Sequence, residues 1–239
     1  MKSPKKERGR SSAVSLTTSP GRRAGEVRIV GGRWRRTPLV VTDREGLRPT
    51  PGRVRETVFD WLGHLLGSFA GRRVLDLFAG SGALGLEALS RGFAALDLVE
   101  RDRAQAAGIR AAIERLGARE EAALHVEDAF AFLARSPLLW DVIFIDPPFA
   151  LGLQDDALTR ALERLAPDGI LYVERSGGLT GEALLGRLGL VRLRATAAGQ
   201  VSCELLARAD GALAPLARVD KKVKKTKPGA ARSTKEKEA

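Results

Sequence analysis

The stretch Val74-Leu75-Asp76-Leu77-Phe78-Ala79-Gly80-Ser81-Gly82 decides the fold. It reads as a short buried strand, an acid at the strand's carboxyl end, and a glycine turn into the helix Ala83-Leu84-Gly85-Leu86-Glu87-Ala88-Leu89. Glycines at 80 and 82 let the backbone take left-handed conformations and approach a ligand closely. The spacing of Gly80, Gly82 and Gly85 also fits G-x-G-x-x-G, a weak signal by itself. Outward from this unit, strands and helices alternate. Arg73–Asp76 leads to a helix ending at Arg91, Leu96–Glu100 to a helix ending at Leu116, and Ala123–Val126 to a short helix. Val142–Asp146, a helix over Asp155–Leu165, Ile170–Glu174 and a helix over Thr180–Leu188 follow. Val191–Thr196 and Val201–Ala207 read as a closing antiparallel pair. The pattern predicts an α/β fold with a doubly wound, mostly parallel, seven-stranded Rossmann-like sheet and right-handed crossovers.

In such sheets ligands sit outside the carboxyl ends of the strands. The most informative end is Asp146-Pro147-Pro148-Phe149, closing the apolar run Val142-Ile143-Phe144-Ile145. Two prolines stop the ladder and aim their carbonyls, Asp146 supplies an acceptor, and Phe149 supplies a flat apolar face. A planar ring with an exposed amino group, a nucleobase, satisfies all of them. A strand followed by a turn and a core Phe is the plainer reading. Asp76 stands before the glycines, where an anion suits an ammonium or sulfonium group and repels a pyrophosphate. Together these features favour S-adenosyl-L-methionine over a nicotinamide cofactor, with Phe78, Gly80, Ser81 and Gly82 forming the cofactor loop. Glu100 either takes ribose hydroxyls or caps the helix starting near Asp102. Asp128, followed by Ala129, either accepts from the adenine amino group or caps the helix from Ala129 to Ala134.

A chain of 239 residues, 44% hydrophobic, can bury one sizeable core. It has no apolar run near the roughly twenty residues that span a bilayer, and no apolar segment follows its basic N-terminus, so no secretory signal or membrane partner is expected. The single cysteine, Cys203, fits a reducing cytoplasm, and with only His64 and His125 beside it no metal site is expected. The net charge of +11 is unevenly placed. Residues 1–25 and 218–239 carry +6 each and hold all ten lysines, leaving −1 for the middle. There, residues 26–55 hold eight arginines against Glu26, Asp43 and Glu45, a balance of +5, while residues 56–217 sum to −6. A polyanion is therefore gripped by tails and strap, with the catalytic body acidic. The expected divisions are a disordered basic tail over 1–25, an arginine-rich hairpin and helix over 26–67, the main domain over 68–209, and a disordered lysine-rich tail over 210–239. Arg28-Ile29-Val30 and Leu39-Val40-Val41 are expected to pair across Gly31-Gly32. Thr50-Pro51 reads as a helix start, with Val54, Val58, Trp61, Leu62 and Leu65 on the buried face. Arg33, Trp34, Arg35, Arg48, Thr50 and Arg53 are the candidate RNA contacts, although Arg48-Pro49-Thr50 reads equally as a helix-entry turn.

From Arg28 to about Arg208 the chain resembles the bacterial small-subunit ribosomal RNA guanine-N2 methyltransferases of the RsmD type. The resemblance rests on Arg28-Ile29-Val30-Gly31-Gly32-Arg33-Trp34-Arg35, Arg48-Pro49-Thr50 with Arg53-Val54-Arg55-Glu56-Thr57, Phe78 to Arg91, and Asp146-Pro147-Pro148-Phe149. It implies a class I S-adenosyl-L-methionine-dependent enzyme acting on 16S ribosomal RNA or an assembling small ribosomal subunit; a monomer is the default expectation, with oligomeric state left open by the sequence. The residues alone leave the base open: adenine-N6 methylation of DNA or RNA would use the same tetrapeptide. A nicotinamide-dependent dehydrogenase and a non-catalytic RNA-binding protein of the same fold are the remaining alternatives.

Overall fold

The structure is a computed structural model that describes residues 26–40 and 50–217. Arg48 and the tail residues before 26 and after 217 lie outside the described residues. A hairpin of β1 (Glu26–Arg28) and β2 (Pro38–Val40) precedes α1 (Gly52–Leu66). Then follow β3 (Arg73–Asp76), α2 (Ala83–Ser90), β4 (Ala95–Val99), α3 (Arg103–Leu116), β5 (Ala122–His125), α4 (Ala129–Arg135) and β6 (Trp140–Ile145). The chain closes through α5 (Gln154–Leu162), β7 (Leu165–Ser176), α6 (Glu182–Leu188), β8 (Leu190–Ala198) and β9 (Val201–Arg208). Strands β3 to β9 form one seven-stranded sheet in the order β5-β4-β3-β6-β7-β9-β8. Pairings among β3, β4, β5, β6 and β7 are parallel; β9 runs antiparallel between β7 and β8.

Both faces of the sheet are covered, which is why its strands read as unbroken apolar runs. Side chains alternate. Val74, Leu96, Phe144 and Tyr172 point toward α1, α2 and α3, where Phe59 of α1 meets Phe144 edge-on at 5.8 Å. Leu75, Ile143, Leu171 and Val99 pack against Phe132, Leu158 and Leu185 of α4, α5 and α6. Among the described residues no helix is long and apolar enough to cross a membrane.

One buried carboxylate holds the N-terminal strap to this body. Glu87 of α2 is fully buried and accepts from the backbone amides of Val30 and Gly31, each at 3.0 Å. Arg55 of α1, also buried, approaches it at 3.4 Å and donates to the carbonyls of Thr50 and Arg28 at 2.6 and 2.5 Å. Arg91 adds a further bond to Glu87 at 3.0 Å. Burial lowers the pKa of Arg55, which Glu87 opposes. The regular ladder of the hairpin pairs Val27 with Leu39 and ends at Arg28 and Pro38, after which Ile29 still donates to the Thr37 carbonyl and accepts from the Arg36 amide; Val41 lies outside the described residues. Pro38 has no amide to give, and the amides of Val30 and Gly31 belong to Glu87.

Three other boundaries depart from the sequence reading. Pro51, not Thr50, precedes α1, and the Thr50 hydroxyl donates instead to Glu174 at 2.8 Å. The helix expected to run to Leu165 ends at Leu162, because Leu165 already pairs with Trp140 as the first residue of β7. The C-terminal tail expected from 210 is ordered to 217. Leu213 joins the core, the amide of Ala212 bonds Asp168 at 3.2 Å, and Arg194 bonds the Leu216 carbonyl at 2.9 Å. Removing one member of the buried pair leaves the other charged and unpaired, so Glu87→Ala is expected to cost about 3–5 kcal/mol of stability. Glu87→Gln, which keeps an acceptor, should cost less; urea unfolding midpoints of the two variants check both.

Candidate active site

The carboxyl ends of β3, β4, β6 and β7 bring four acids to one rim. Asp76 ends β3, is 2% exposed, and accepts from the Gly85 amide at 2.9 Å. Burial pushes its carboxyl up to about 7; the Gly85 amide opposes the rise and the charge of Glu100 adds to it. Gly80 and Gly82 turn the chain with φ of 54° and 74°, in the left-handed region where a side chain would be strained. Glu100, just past β4, accepts from the Gly80 amide at 2.8 Å and from the Asp102 amide at 2.7 Å. The cap of α3 is Asp102, which accepts from Ala104 and Gln105. Glu100 is therefore the fastener of the glycine loop, a role the sequence reading missed. Burial raises its pKa and the two amides hold it back.

Asp128 is exposed and caps α4, accepting from the amides of Phe130 and Ala131 at 2.9 and 3.1 Å, while Ala129 behind it is buried. Phe78 and Ser81 are half-buried, and Phe78 meets Phe130 edge-on at 6.4 Å. Asp146 follows β6 and is half-buried. Asp76 pairs with Phe144, so Asp146, two residues further along, shares its face of the sheet. Ile145 pairs with Val173, which places Asp146 beside Glu174 on β7. Burial, then the negative charges of Glu174 and Asp76, push the Asp146 carboxyl well above the usual range. Pro147 is buried and Pro148 exposed. Phe149 is 37% exposed and opens a short 3-10 turn over Phe149–Leu151, closed by the Leu151 amide on the Pro148 carbonyl at 3.0 Å. The plainer reading of Phe149 as a core residue is thereby excluded.

The candidate RNA contacts are not gathered in one place. Arg33, Trp34 and Arg35 form the tip of the hairpin, seated on the last residue of α2. The Arg33 amide donates to the Ser90 carbonyl at 2.8 Å and the Trp34 amide to the Ser90 hydroxyl at 2.9 Å. Arg33 also pairs with Glu121, which precedes β5. The tip therefore lies at the amino ends of the strands, separated from the glycine turn by the length of α2, about 12 Å at 1.5 Å per residue. Thr50 is buried and engaged by Glu174, so it is no surface contact. Arg53, exposed in the first turn of α1, follows Thr50 by three residues. Glu174 and Glu87 were both overlooked. Glu174 had a signal: like Asp146 and Glu100, it is an acid at the end of an apolar run, Ile170-Leu171-Tyr172-Val173.

Asp76, Glu100, Asp146 and Glu174 are acceptors when ionised, so a ligand that fits among them brings donors and positive charge. A pyrophosphate would add like charges to this rim, whereas an ammonium, a sulfonium and ribose hydroxyls complement it. On this sheet order, that donor set makes the chain a class I S-adenosyl-L-methionine-dependent methyltransferase. Residues 27–207 match the family described as Conserved hypothetical protein 95. Ribosomal RNA small subunit methyltransferase D of Escherichia coli K12 is 41% identical over 153 residues, spanning 63% of this chain and 75% of that protein. The Haemophilus influenzae protein of the same name is 38% identical over 155 residues, with 63% and 79% covered. The solved structure of yhhF from Escherichia coli superposes with a TM-score of 0.65 at 37% identity, covering 77% of this chain and 98% of that one. The chain belongs to this family, the RsmD type.

Gly85 closes the unit by letting α2 lie directly on the sheet. A Cβ there would stand 2.8 Å from Leu96 and 3.2 Å from the Cβ of Asp76. Gly85→Ala is accordingly expected to lose about 1–3 kcal/mol through overpacking and to weaken cofactor binding by moving Asp76, as read by thermal unfolding and calorimetric titration.

Proposed function

We propose that this methyltransferase acts on the exocyclic N2 amine of a guanine in small-subunit, 16S ribosomal RNA. The observation that supports the reading is that Asp146 shares the face and strand end of Asp76, with Phe149 exposed three residues further on. The names of the relatives support ribosomal RNA as substrate, and the N-terminal motifs that resemble the RsmD type support guanine. S-Adenosyl-L-methionine, when bound, supplies an electrophilic methyl group on a sulfonium. Asp76 faces its ammonium, Glu100 and Asp128 take its ribose hydroxyls and adenine amine, and Phe78, Gly80, Ser81, Gly82 and Ala129 line its place. The amine of a guanine is a weak nucleophile because its lone pair is delocalised into the ring. Asp146 and the Pro147 carbonyl accept hydrogen bonds from it, Pro148 fixes the turn, and Phe149 stacks on the base. As the new N–C bond forms, Asp146 takes the proton that the nitrogen must lose. A carboxyl held well above its usual range suits that task near neutral pH. Orientation alone can supply about 7–11 kcal/mol of the barrier. The base must leave its stack, at a cost of a few kcal/mol. Arg53 meets RNA backbone; Arg33, Trp34 and Arg35 serve a large RNA only as distant contacts.

Methylation of ribosomal RNA with labelled cofactor, followed by nucleoside analysis, tests the proposal: N2-methylguanosine is expected, and N6-methyladenosine would overturn it. Asp146→Ala should lower turnover on the order of 10²- to 10⁴-fold while leaving affinity for S-adenosylhomocysteine nearly unchanged. Phe149→Ala should lose about 1–3 kcal/mol of stacking, and Phe149→Tyr much less. Because the folded Asp76 holds its proton up to about 7 and its anion is the form that meets the ammonium, S-adenosylhomocysteine should bind more weakly as pH falls below that value. The limiting slope is on the order of tenfold per pH unit, and Asp76→Asn should abolish it; calorimetric titrations across pH check this.

A further inference from the structure

A row of side chains crosses the sheet just beneath the rim. Asp146 stands beside Glu174, Glu174 is paired with Cys203 on β9, and Cys203 with Thr196 on β8. Residues paired across neighbouring strands point to one face, here the face that α1 covers. Glu174 is 2% exposed and accepts two hydrogen bonds on one oxygen, from the Tyr172 hydroxyl at 2.7 Å and the Thr50 hydroxyl at 2.8 Å. Both partners are neutral donors, and a glutamine would accept from them equally well. A buried charge costs far more than a buried amide, and among the described residues no Lys, Arg or His pairs with Glu174. Arg55, the cation of α1 on this side, is taken by Glu87 and by the carbonyls of Thr50 and Arg28. Hydrogen bonding therefore accounts for the shape at 174 and leaves the charge without a structural purpose.

We infer that Glu174 is a positioning residue of the reaction: it ties Thr50, at the entry of α1, to the strand flanking Asp146, and its negative charge acts on Asp146 from that neighbouring position. The inference rests on the reading of Asp146 as the group that takes the amine's proton. The titratable groups on this face are few. Tyr172 and Cys203 are pushed up by burial and stay neutral. Asp76 on β3 and Glu174 on β7 are the acids facing Asp146, with Arg55 the buried cation of α1 and Arg53 an exposed one. An adjacent anion disfavours ionisation of a carboxyl and strengthens its hold on a proton. Glu174 thereby makes Asp146 a better proton acceptor, while activity must rise with pH as Asp146 ionises.

The test is the pH dependence of kcat at saturating RNA and cofactor, for the full chain and its E174Q variant. E174Q keeps both accepted hydrogen bonds and removes the charge. Its acidic limb is expected to move to lower pH, so that at the wild-type midpoint the variant runs closer to its own maximum, with cofactor KM changed less than kcat. An unmoved limb overturns the inference, and so does an E174Q chain that cannot fold, since the charge would then be a structural requirement. Asp146→Ala separates the two levels. If that variant stays fully active, the role of Asp146 itself is wrong; if it is inactive while the E174Q limb is unmoved, only the role of Glu174 fails.

Discussion

A single carboxylate inside α2 is the constraint on which the rest of the structure depends. Glu87 is fully buried, so its lone pairs must be met by protein. The chain meets them with two amides from the strap, a guanidinium from α1 and a second one from Arg91 at the end of its own helix. Glu87 and Arg55 together tie hairpin, first helix and sheet-covering helix at one point. Arg55 extends the same connection to the Thr50 carbonyl, and Thr50 extends it to Glu174 at the rim. A continuous polar path thus runs from the strap to the residue beside Asp146, through a region that is otherwise apolar.

The rim has its own electrostatic logic. Parallel strands deliver their carboxyl ends to one edge, and Asp76, Asp146 and Glu174 fall on the same face there, with Glu100 close behind. Crowding and burial favour the protonated forms. Asp76 takes the Gly85 amide of α2, and Glu100 takes the amides of Gly80 and Asp102, which shapes the turn as well as the field. The geometry of the loop and the charge state of the site have the same cause.

Most of the fold was legible in the chain because its signals are local. Apolar runs of four to six residues ending in an acid, each followed by an amphipathic helix, specify strand, crossover and rim together. The seven strands and their mostly parallel arrangement follow from that pattern, and Asp76, Gly80, Glu100 and Asp146 were all found as strand-end residues. What the pattern could not carry was any role that depends on partners distant in sequence. Glu87 looked like one polar residue of an apolar helix, and its partners lie 32 and 57 residues away. Thr50 looked like a cap because capping is a local rule, yet a carboxylate 124 residues away claimed its hydroxyl. The hairpin tip looked like an RNA surface because arginine density says nothing of which end of the sheet it faces.

An edge where four acids gather also treats a ligand differently before and after group transfer. With the proposed roles of these residues, giving up the methyl group removes one positive charge from the sulfur, and with it part of the attraction to Asp76, Asp146 and Glu174. The spent molecule leaves an environment that repels itself less than it did when empty, yet holds its occupant less firmly than before. Turnover is thereby eased by the same field that drew the fresh molecule in, and added salt, which screens the exposed part of that field, narrows the difference between the two.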